Sequence, residues 1–221
     1  MLIDFHAHIL PGLDHGCAGL LMAQEQWRLM EAAGVSAVVA TSHYYSQSQG
    51  ISDFLAARQR ALDCLAPVTA GSCLRLIPAA EVLVTPGLHH LADLGRLCIG
   101  NTPYILLEFP FSSWNAELVE TVDRIVDRGM IPILAHIDRY KPADREIALE
   151  RNWYVQLNSA SICGYFDFRY WLPWLRSGRV VAIGSDLHGV DTHYNRFPLA
   201  AKRVMRHCPG VFDAARRILG L

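Results

Sequence analysis

The sequence predicts one α/β domain with parallel strands, arranged as a complete or distorted barrel. A chain of 221 residues with 52% hydrophobic content can bury a large core in one domain. Short apolar runs alternate with longer stretches of helical apolar spacing, and neither a low-complexity linker nor an internal repeat divides the chain. We therefore expect residues 1–221 to form a single domain, for which a barrel is the simplest arrangement of the repeated units.

Seven runs are predicted as strands because they are short, apolar and rich in β-forming residues. Their nearly continuous hydrophobicity is typical of a parallel sheet that is buried on both faces. In chain order they are residues 2–5, 37–41, 74–81, 104–109, 131–135, 153–158 and 180–185.

Four of the intervening stretches are predicted as helices from their apolar spacing, namely residues 20–33, 52–65, 116–128 and 199–207. Gly34 and Gly129 stand where a C-terminal cap belongs. Strands and helices thus alternate along most of the chain, as a barrel requires.

Charge and composition exclude several classes of protein. With 20 basic and 21 acidic residues the net charge is -1, which gives no global field for nucleic acid or an anionic membrane. No apolar run approaches the roughly 18 residues of a spanning helix, and the beginning lacks a signal-peptide pattern. We expect a soluble cytoplasmic protein without membrane insertion.

The cysteines form neither a disulfide framework nor a thiolate zinc site, because they are scattered and include no C-x-x-C pair. We expect all six to be buried packing residues. They are Cys17, Cys64, Cys73, Cys98, Cys163 and Cys208.

Side chains of the kind that bind metals recur at the predicted strand ends, where barrel active sites lie. His6 and His8 are two positions apart on an extended segment, so both point to one side and can chelate one ion. The full candidate set is His6, His8, Asp14, His43, Glu81, Glu108, His136, Asp186 and His188.

Nine nitrogen and oxygen ligands exceed the roughly three that one catalytic ion takes from a protein, so two or three ions are implied. Imidazole with carboxylate suits Mn, Zn, Fe or Co. Any one of these residues alone is more often structural or solvated. Their joint recurrence at strand ends favours a metal site.

Seven ordered segments, which together include all of these residues, resemble the polymerase-and-histidinol-phosphatase (PHP) superfamily, over residues 1–196. Within it they are most similar to the bacterial phosphotyrosine phosphatases linked to capsule and exopolysaccharide synthesis. The segments are residues 4–14, 40–43, Glu81, 107–110, 135–139, 156–158 and 184–188.

The resemblance implies a distorted (β/α)7 barrel of the PHP type with three divalent ions, Mn being favoured and Zn or Fe being alternatives. It also implies hydrolysis of phosphotyrosine on a bacterial tyrosine kinase that controls polysaccharide export. By motif, one ion would be held by His6, His8, Glu81 and Asp186, a second by Glu81, Glu108 and His136, and a third by Asp14, His43 and His188.

The resemblance further implies two arginines that grip phosphate. Arg139 falls on the first position, and Arg196 is the candidate for the second, after a small insertion. Arginine suits this role because its planar fork binds two phosphate oxygens. Asp138 or a water is expected to protonate the leaving group. For His15, a position behind the ligands or facing solvent is favoured over a ligand role.

Other interpretations stay open on the sequence alone. Cys163 and Arg169 match the C-x5-R spacing of cysteine-dependent phosphatases, although the bulky residues between them argue against a phosphate loop. Residues 165–174 form either an amphipathic core helix, which we favour, or a docking surface for a partner or another subunit.

The same ligands could also serve a phosphatase of small esters such as histidinol phosphate, or a nuclease, for which the basic stripe is lacking. A metal-containing binding protein without activity is the weakest alternative, since the ligands and Arg139 are all present.

Overall fold

The computed structural model describes residues 1–112, 114–190 and 194–221. Every strand pairing in it is parallel. The strands are β1 (Leu2–Ala7), β2 (Val35–Ala40), β3 (His43–Tyr44), β4 (Arg75–Pro78), β5 (Glu81–Leu83), β6 (Tyr104–Glu108), β7 (Ile131–Leu134), β8 (Tyr154–Asn158) and β9 (Val180–Gly184).

The strands form two sheets, with the orders β1-β2-β4 and β3-β5-β6-β7-β8-β9. The third predicted strand, residues 74–81, is divided, because β4 belongs to one sheet and Glu81 begins β5 of the other. The second predicted strand, residues 37–41, corresponds to β2, and the short β3 that follows it belongs to the other sheet. Hydrogen bonds continue across the break, since Ala79 N donates to Ala40 O at 2.9 Å and Glu81 N donates to Ser42 O at 3.0 Å.

The two sheets also meet where β1 and β9 end. Asp186 N donates to His6 O at 2.7 Å, and His8 N donates to Leu187 O at 3.0 Å. Ala7 and Leu187 form an isolated parallel bridge at the same place. The predicted α/β class and parallel strands are confirmed, whereas the described strands form two sheets and closure of a barrel stays a prediction.

Within the described residues, seven α-helices accompany the strands: α1 (Leu20–Ala32), α2 (Ile51–Thr69), α3 (Ala116–Asp127), α4 (Pro142–Glu150), α5 (Tyr165–Arg176), α6 (Arg196–His207) and α7 (Gly210–Leu219). The four predicted helices are confirmed as α1, α2, α3 and α6 within a few residues. Gly34 and Gly129 take positive φ angles of 74° and 84° just after α1 and α3, as the predicted caps require. Of the helices in the described residues, none combines the length and apolar character needed to cross a membrane.

The core lies between the sheets and the helices and includes Phe5, Trp27, Phe54, Phe109 and Phe197. All six cysteines are unpaired. The prediction that they are packing residues holds for Cys17, Cys98 and Cys208, which are buried, and Cys163 is half-buried. It is wrong for Cys64 and Cys73, which are exposed because one lies on an outer position of α2 and the other in the loop before β4.

Candidate metal centre

The predicted ligands meet at the carboxyl ends of the parallel strands. His6 lies within β1, His43 begins β3, and Glu81 begins β5. Glu108 ends β6, and His136 and Asp186 follow β7 and β9. Because parallel strands share a direction, one edge of the sheets collects side chains that are far apart in sequence.

Glu81 lies at the centre of this group, with 0% of its side chain exposed. Its Oε2 is 3.2 Å from His6 Nε2, 3.2 Å from His8 Nε2 and 3.1 Å from His43 Nδ1. Its Oε1 is 2.8 Å from His136 Nε2. A single buried carboxylate is thus surrounded by four imidazoles.

Two further carboxylates border the same imidazoles. Glu108 places Oε1 3.4 Å from His136 Nε2 and Oε2 3.7 Å from His43 Nδ1. Asp186 places Oδ1 3.5 Å from both His6 Nε2 and His8 Nε2. Each carboxylate therefore lies between two imidazoles, as a bridging ligand would.

The donor atoms have a spacing that suits metal ions. At metal–ligand distances of about 2.1 Å, the ligands of a tetrahedral ion are about 3.4 Å apart, and most of the separations above lie near that value. Three groups bring their donor atoms within 4.8 Å of one another: His6, His8 and Glu81; His43, Glu81 and Glu108; and His8, His43 and His188.

His43 Nδ1 supports this fit independently. It is buried and has no hydrogen-bond partner, although it faces carboxylate oxygens of both Glu81 and Glu108. A buried polar atom without a partner is costly. A cation between the ring and the carboxylates would satisfy it.

The Asp14 carboxylate contacts His8 and two backbone amides, whereas a ligand of the third ion was expected to lie beside the rings of His43 and His188. Its Oδ2 is 2.8 Å from His8 Nδ1 and accepts from His43 N at 2.9 Å, while Oδ1 accepts from Gly16 N at 2.9 Å. Burial opposes ionisation, but the hydrogen bond and charge of His8 outweigh it and hold the pKa of Asp14 well below its usual value. Here Asp14 orients His8, and its role as a direct ligand stays a prediction.

His188 and His15 cover the outer side of the group. His188 Nδ1 is 3.0 Å from Asp186 O, and its ring centroid is 3.9 Å from that of His8. His15 is exposed, and its ring stacks on His43 with centroids 4.8 Å apart. This position agrees with the favoured interpretation that His15 faces solvent.

The backbone is strained at two of the ligand positions. His136 and Asp186 have φ angles of 33° and 55°, which non-glycine residues rarely adopt. Their amides are held in place, since His136 N donates to Gln156 Oε1 at 2.6 Å and Asp186 N donates to His6 O. These bonds keep both side chains directed at the cluster.

Behind the ligands, β8 supplies polar contacts from residues 156–158, a segment that carries the family resemblance but had no predicted role. Gln156 Oε1 is 3.1 Å from His6 Nδ1, and Gln156 Nε2 donates to Asn158 Oδ1 at 2.9 Å. Asn158 Nδ2 in turn donates to Asp186 Oδ2 at 3.2 Å. The signal in the sequence was a buried amide in the middle of an apolar strand.

Asp4 is a second buried polar residue without a role predicted from the sequence. Its Oδ1 accepts from Ser185 N at 2.8 Å and its Oδ2 accepts from Tyr194 OH at 2.9 Å. Burial raises the pKa of Asp4 to about 6, against the opposing effect of these hydrogen bonds. Asp4 therefore ties β1 to the loop that carries Asp186.

The predicted catalytic residues lie at different distances from the ligands. Arg139 Nη2 is 2.6 Å from Asp186 Oδ2, and 45% of the Arg139 side chain is exposed, so the guanidinium borders the cluster and faces solvent. Both oxygens of Asp138 accept hydrogen bonds, from Asn158 N at 2.9 Å and Ser161 Oγ at 2.6 Å. Arg196 is exposed and lines a neighbouring 140 Å³ cavity with Ser185 and Tyr194.

The family model for capsular polysaccharide synthesis proteins of the CpsB/CapC type matches residues 2–212. The chain belongs to this family. The tyrosine-protein phosphatase YwqE of Bacillus subtilis is 27% identical over 203 residues, which are 86% of this chain and 79% of the relative. The tyrosine-protein phosphatase CpsB of Streptococcus pneumoniae is 24% identical over 212 residues, which are 86% of this chain and 84% of the relative.

Solved structures show the same fold. One from the study of YwqE from Bacillus subtilis and CpsB from Streptococcus pneumoniae, described as unique metal-dependent tyrosine phosphatases, superposes with a TM-score of 0.78. It is 22% identical, and the match covers 99% of this chain and 94% of the other. A TatD-like protein from Archaeoglobus fulgidus gives a TM-score of 0.60 at 12% identity, covering 99% and 100% of the two chains.

In this CpsB/CapC family member the C-x5-R match does not form a phosphate site. Burial raises the pKa of the Cys163 thiol, and Cys163 Sγ donates to Arg196 O at 3.2 Å. Arg169 instead lies over the Tyr165 ring and donates to its hydroxyl at 3.2 Å. The thiol is therefore not activated, and the arginine is engaged elsewhere.

Residues 165–174, predicted as either a core helix or a docking surface, lie in α5. Phe168 and Trp171 are buried, which agrees with the favoured core helix. Tyr165, Phe166 and Tyr170 are exposed. The inner face of α5 packs on the core, whereas a docking role for the outer face stays a prediction.

Proposed function

We propose that the chain is a metal-dependent protein-tyrosine phosphatase. The observation that carries this proposal is the buried Glu81 carboxylate among four imidazoles at the strand ends. Membership of the CpsB/CapC family supports the substrate, since relatives of this chain are tyrosine-protein phosphatases.

The ions are proposed to be two or three divalent metals, with Mn first and Zn or Fe as alternatives. His6, His8, Glu81 and Asp186 would hold the first, Glu81, Glu108 and His136 the second, and Asp14, His43 and His188 the third. Bound there, the ions would supply Lewis-acid activation of water and of the phosphate group.

Arg139 is proposed to bind the phosphate group. Its guanidinium already pairs with Asp186 through one nitrogen, and its exposure leaves other N–H groups for phosphate oxygens. Arg196 is proposed as a second phosphate-binding arginine across the neighbouring cavity.

Protonation of the leaving group by Asp138 stays a prediction. The two hydrogen bonds that its carboxylate accepts favour a positioning role for the loop that carries Arg139. A water at the rim of the cluster is the second candidate for the acid.

The two sheets are further proposed to be parts of one distorted barrel of seven β/α units in a single domain, residues 1–221. The hydrogen bonds between β1 and the end of β9, and those across the divided strands, support this arrangement. A crystal structure in which β1 and the end of β9 were separated would contradict it.

The biological partner is proposed to be a bacterial tyrosine kinase that regulates capsular or extracellular polysaccharide synthesis, in the cytoplasm. The family description supports the polysaccharide role. Loss of phosphate from that kinase on addition of the purified chain would test the partner directly.

The proposed activity is tested with phosphotyrosine, phosphoserine and histidinol phosphate as substrates, with Mn or with EDTA. We expect selective hydrolysis of phosphotyrosine that requires metal. The rate should fall on the order of 100-fold in His136→Ala, as expected when a group of a metal site is removed. The activity should survive in Cys163→Ser. Hydrolysis of small esters alone would favour the alternative phosphatase, and EDTA-resistant activity that is lost with Cys163 would overturn the mechanism.

A further inference from the structure

Phe111 is an unusually exposed apolar residue beside the metal centre. It follows β6 in the loop after Glu108, and 60% of its surface is exposed. Its ring faces that of His136, with centroids 5.8 Å apart and planes at 29°. A single exposed phenylalanine is common on protein surfaces, so its position over a ligand histidine is the informative part.

The rings of Tyr140, Trp114 and Phe109 form an aromatic platform next to Phe111. The Phe111 ring lies 6.2 Å from that of Tyr140, which contacts the Trp114 ring at 5.0 Å. Trp114 stacks on the buried Phe109 at 4.0 Å, and Tyr140 OH accepts a hydrogen bond from Phe109 N at 2.9 Å. The platform therefore holds Phe111 at the rim with little freedom to collapse inward.

Tyr45 lies beside His43, the second imidazole that faces Glu108. Its half-buried ring stacks on His43 with centroids 5.3 Å apart and planes at 18°. His43 and His136 face opposite oxygens of Glu108, at 3.7 and 3.4 Å. An aromatic ring therefore stands over each of the two imidazoles that flank this carboxylate.

We infer that Phe111 and Tyr45 are the specificity-determining walls of a slot that receives the phenyl ring of an aryl phosphate. With one ring over each imidazole, the phosphate would lie at the metal centre beside Glu108, and the ester group would point outward between the two rings. Aromatic pairs gain energy beyond their area when stacked or edge-on. An alkyl phosphate gains nothing comparable from these walls.

This inference rests on the proposed function for the reaction, and its test must separate the two. Phenylphosphonate and methylphosphonate are not hydrolysed, so calorimetry on the Mn-loaded protein measures binding without turnover. We expect wild type to bind phenylphosphonate more tightly than methylphosphonate, and Phe111→Ala to reduce that preference by about threefold to tenfold. Affinity for methylphosphonate should change less than twofold.

Two variants serve as controls. Phe111→Tyr keeps a ring and should keep the preference. Phe166→Ala removes an exposed aromatic that contacts the Tyr165 ring on α5, and it should change neither affinity. Equal affinity for the two phosphonates in wild type, or an equal loss for both in Phe111→Ala, would overturn the slot. If wild type prefers phenylphosphonate but does not hydrolyse phosphotyrosine, the result would count against the proposed function alone.

Discussion

Gln156 shows how residues that hold no ion can decide where ions bind. Its side-chain oxygen accepts a hydrogen bond from His136 N and lies 3.1 Å from His6 Nδ1. One side chain therefore contacts two of the candidate ligand residues. Such contacts behind metal ligands set the ring orientation and the tautomer.

We predict that Gln156→Leu lowers metal affinity about tenfold to 100-fold, because the outer contacts of His6 and His136 are lost. Titration of the metal-free protein with Mn by calorimetry measures this change. Gln59→Leu, which removes an exposed amide that donates to Asp63 on α2, is the matched control and should bind Mn like wild type. Unchanged affinity in Gln156→Leu would show that the amide has no part in ligand positioning.

Gly184 permits a close approach of β9 to β1. A Cβ at this position would lie 2.3 Å from His6 Cβ and 3.0 Å from His6 N. We predict that Gly184→Ala lowers the free energy of unfolding by about 1 to 3 kcal/mol and weakens Mn binding, because His6 must move.

Urea denaturation measures the stability change at Gly184. Gly95→Ala is the control, since a Cβ there meets nothing within 4 Å. Equal stability of the two alanine variants would contradict the steric argument.

His136 gives the metal-free protein a defined pH dependence. Burial opposes its charge, but hydrogen bonds with Glu108 and Glu81 raise the pKa of His136 from 6.5 to about 9. Because the folded-state pKa is raised, this contribution to stability is fully present below pH 6.5 and is lost as pH rises through 9. It amounts to on the order of 1 to 3 kcal/mol.

The difference in unfolding free energy between metal-free wild type and His136→Gln should therefore shrink from pH 6.5 to pH 9.5. Chemical denaturation across that range measures it. A difference that grows with pH would have the wrong sign for a cationic His136 held by carboxylates.

The nine candidate ligands could be predicted because the rule that parallel strands present their carboxyl ends together needs only strand positions. Eight of them face the cluster with a ring nitrogen or carboxylate oxygen, whereas Asp14 turns toward the outer nitrogen of His8. Gln156 and Asp4 were not assigned roles, because a buried hydrogen bond depends on a partner that sequence spacing does not reveal.

At the level of helices and strands, the start of a helix can be predicted from a capping residue, whereas the point where a strand changes sheets depends on its neighbours in the fold. Asn115 caps α3, with its side chain accepting from Leu118 N at 2.9 Å. The division of β2 from β3 and of β4 from β5 reflects which sheet each segment joins. α7 was not predicted, although its buried residues Val211, Phe212, Ala215 and Ile218 recur at helical spacing and it packs on β9 and β1.

We predict that Asn115→Ala lowers the free energy of unfolding by about 1 kcal/mol, since the capping bond to Leu118 N is lost. Asn115→Asp retains an acceptor and should stay close to wild type. Thermal or urea unfolding measures both variants. Metal content should be equal in all three proteins, because α3 contributes no candidate ligand, and a fall in Mn content would contradict this separation.

At the scale of the whole molecule, the two sheets converge on one edge, and the candidate ligands come from both. β1 carries His6, while β5 and β6 of the other sheet carry Glu81 and Glu108. Any ion between them would join the sheets, so metal binding is expected to stabilise the fold by linkage. The 0.78 TM-score with a structure from the YwqE and CpsB study shows that the fold persists at 22% identity.

We propose that metals held around Glu81 carry out phosphotyrosine hydrolysis. The most direct test titrates the metal-free protein with Mn while hydrolysis of a phosphotyrosine peptide and bound Mn per chain are measured together. We predict no activity without metal, recovery that saturates only above one ion per chain, and no recovery in Glu81→Gln. Full activity of the metal-free protein, or recovery in Glu81→Gln equal to wild type, would contradict a metal centre at Glu81.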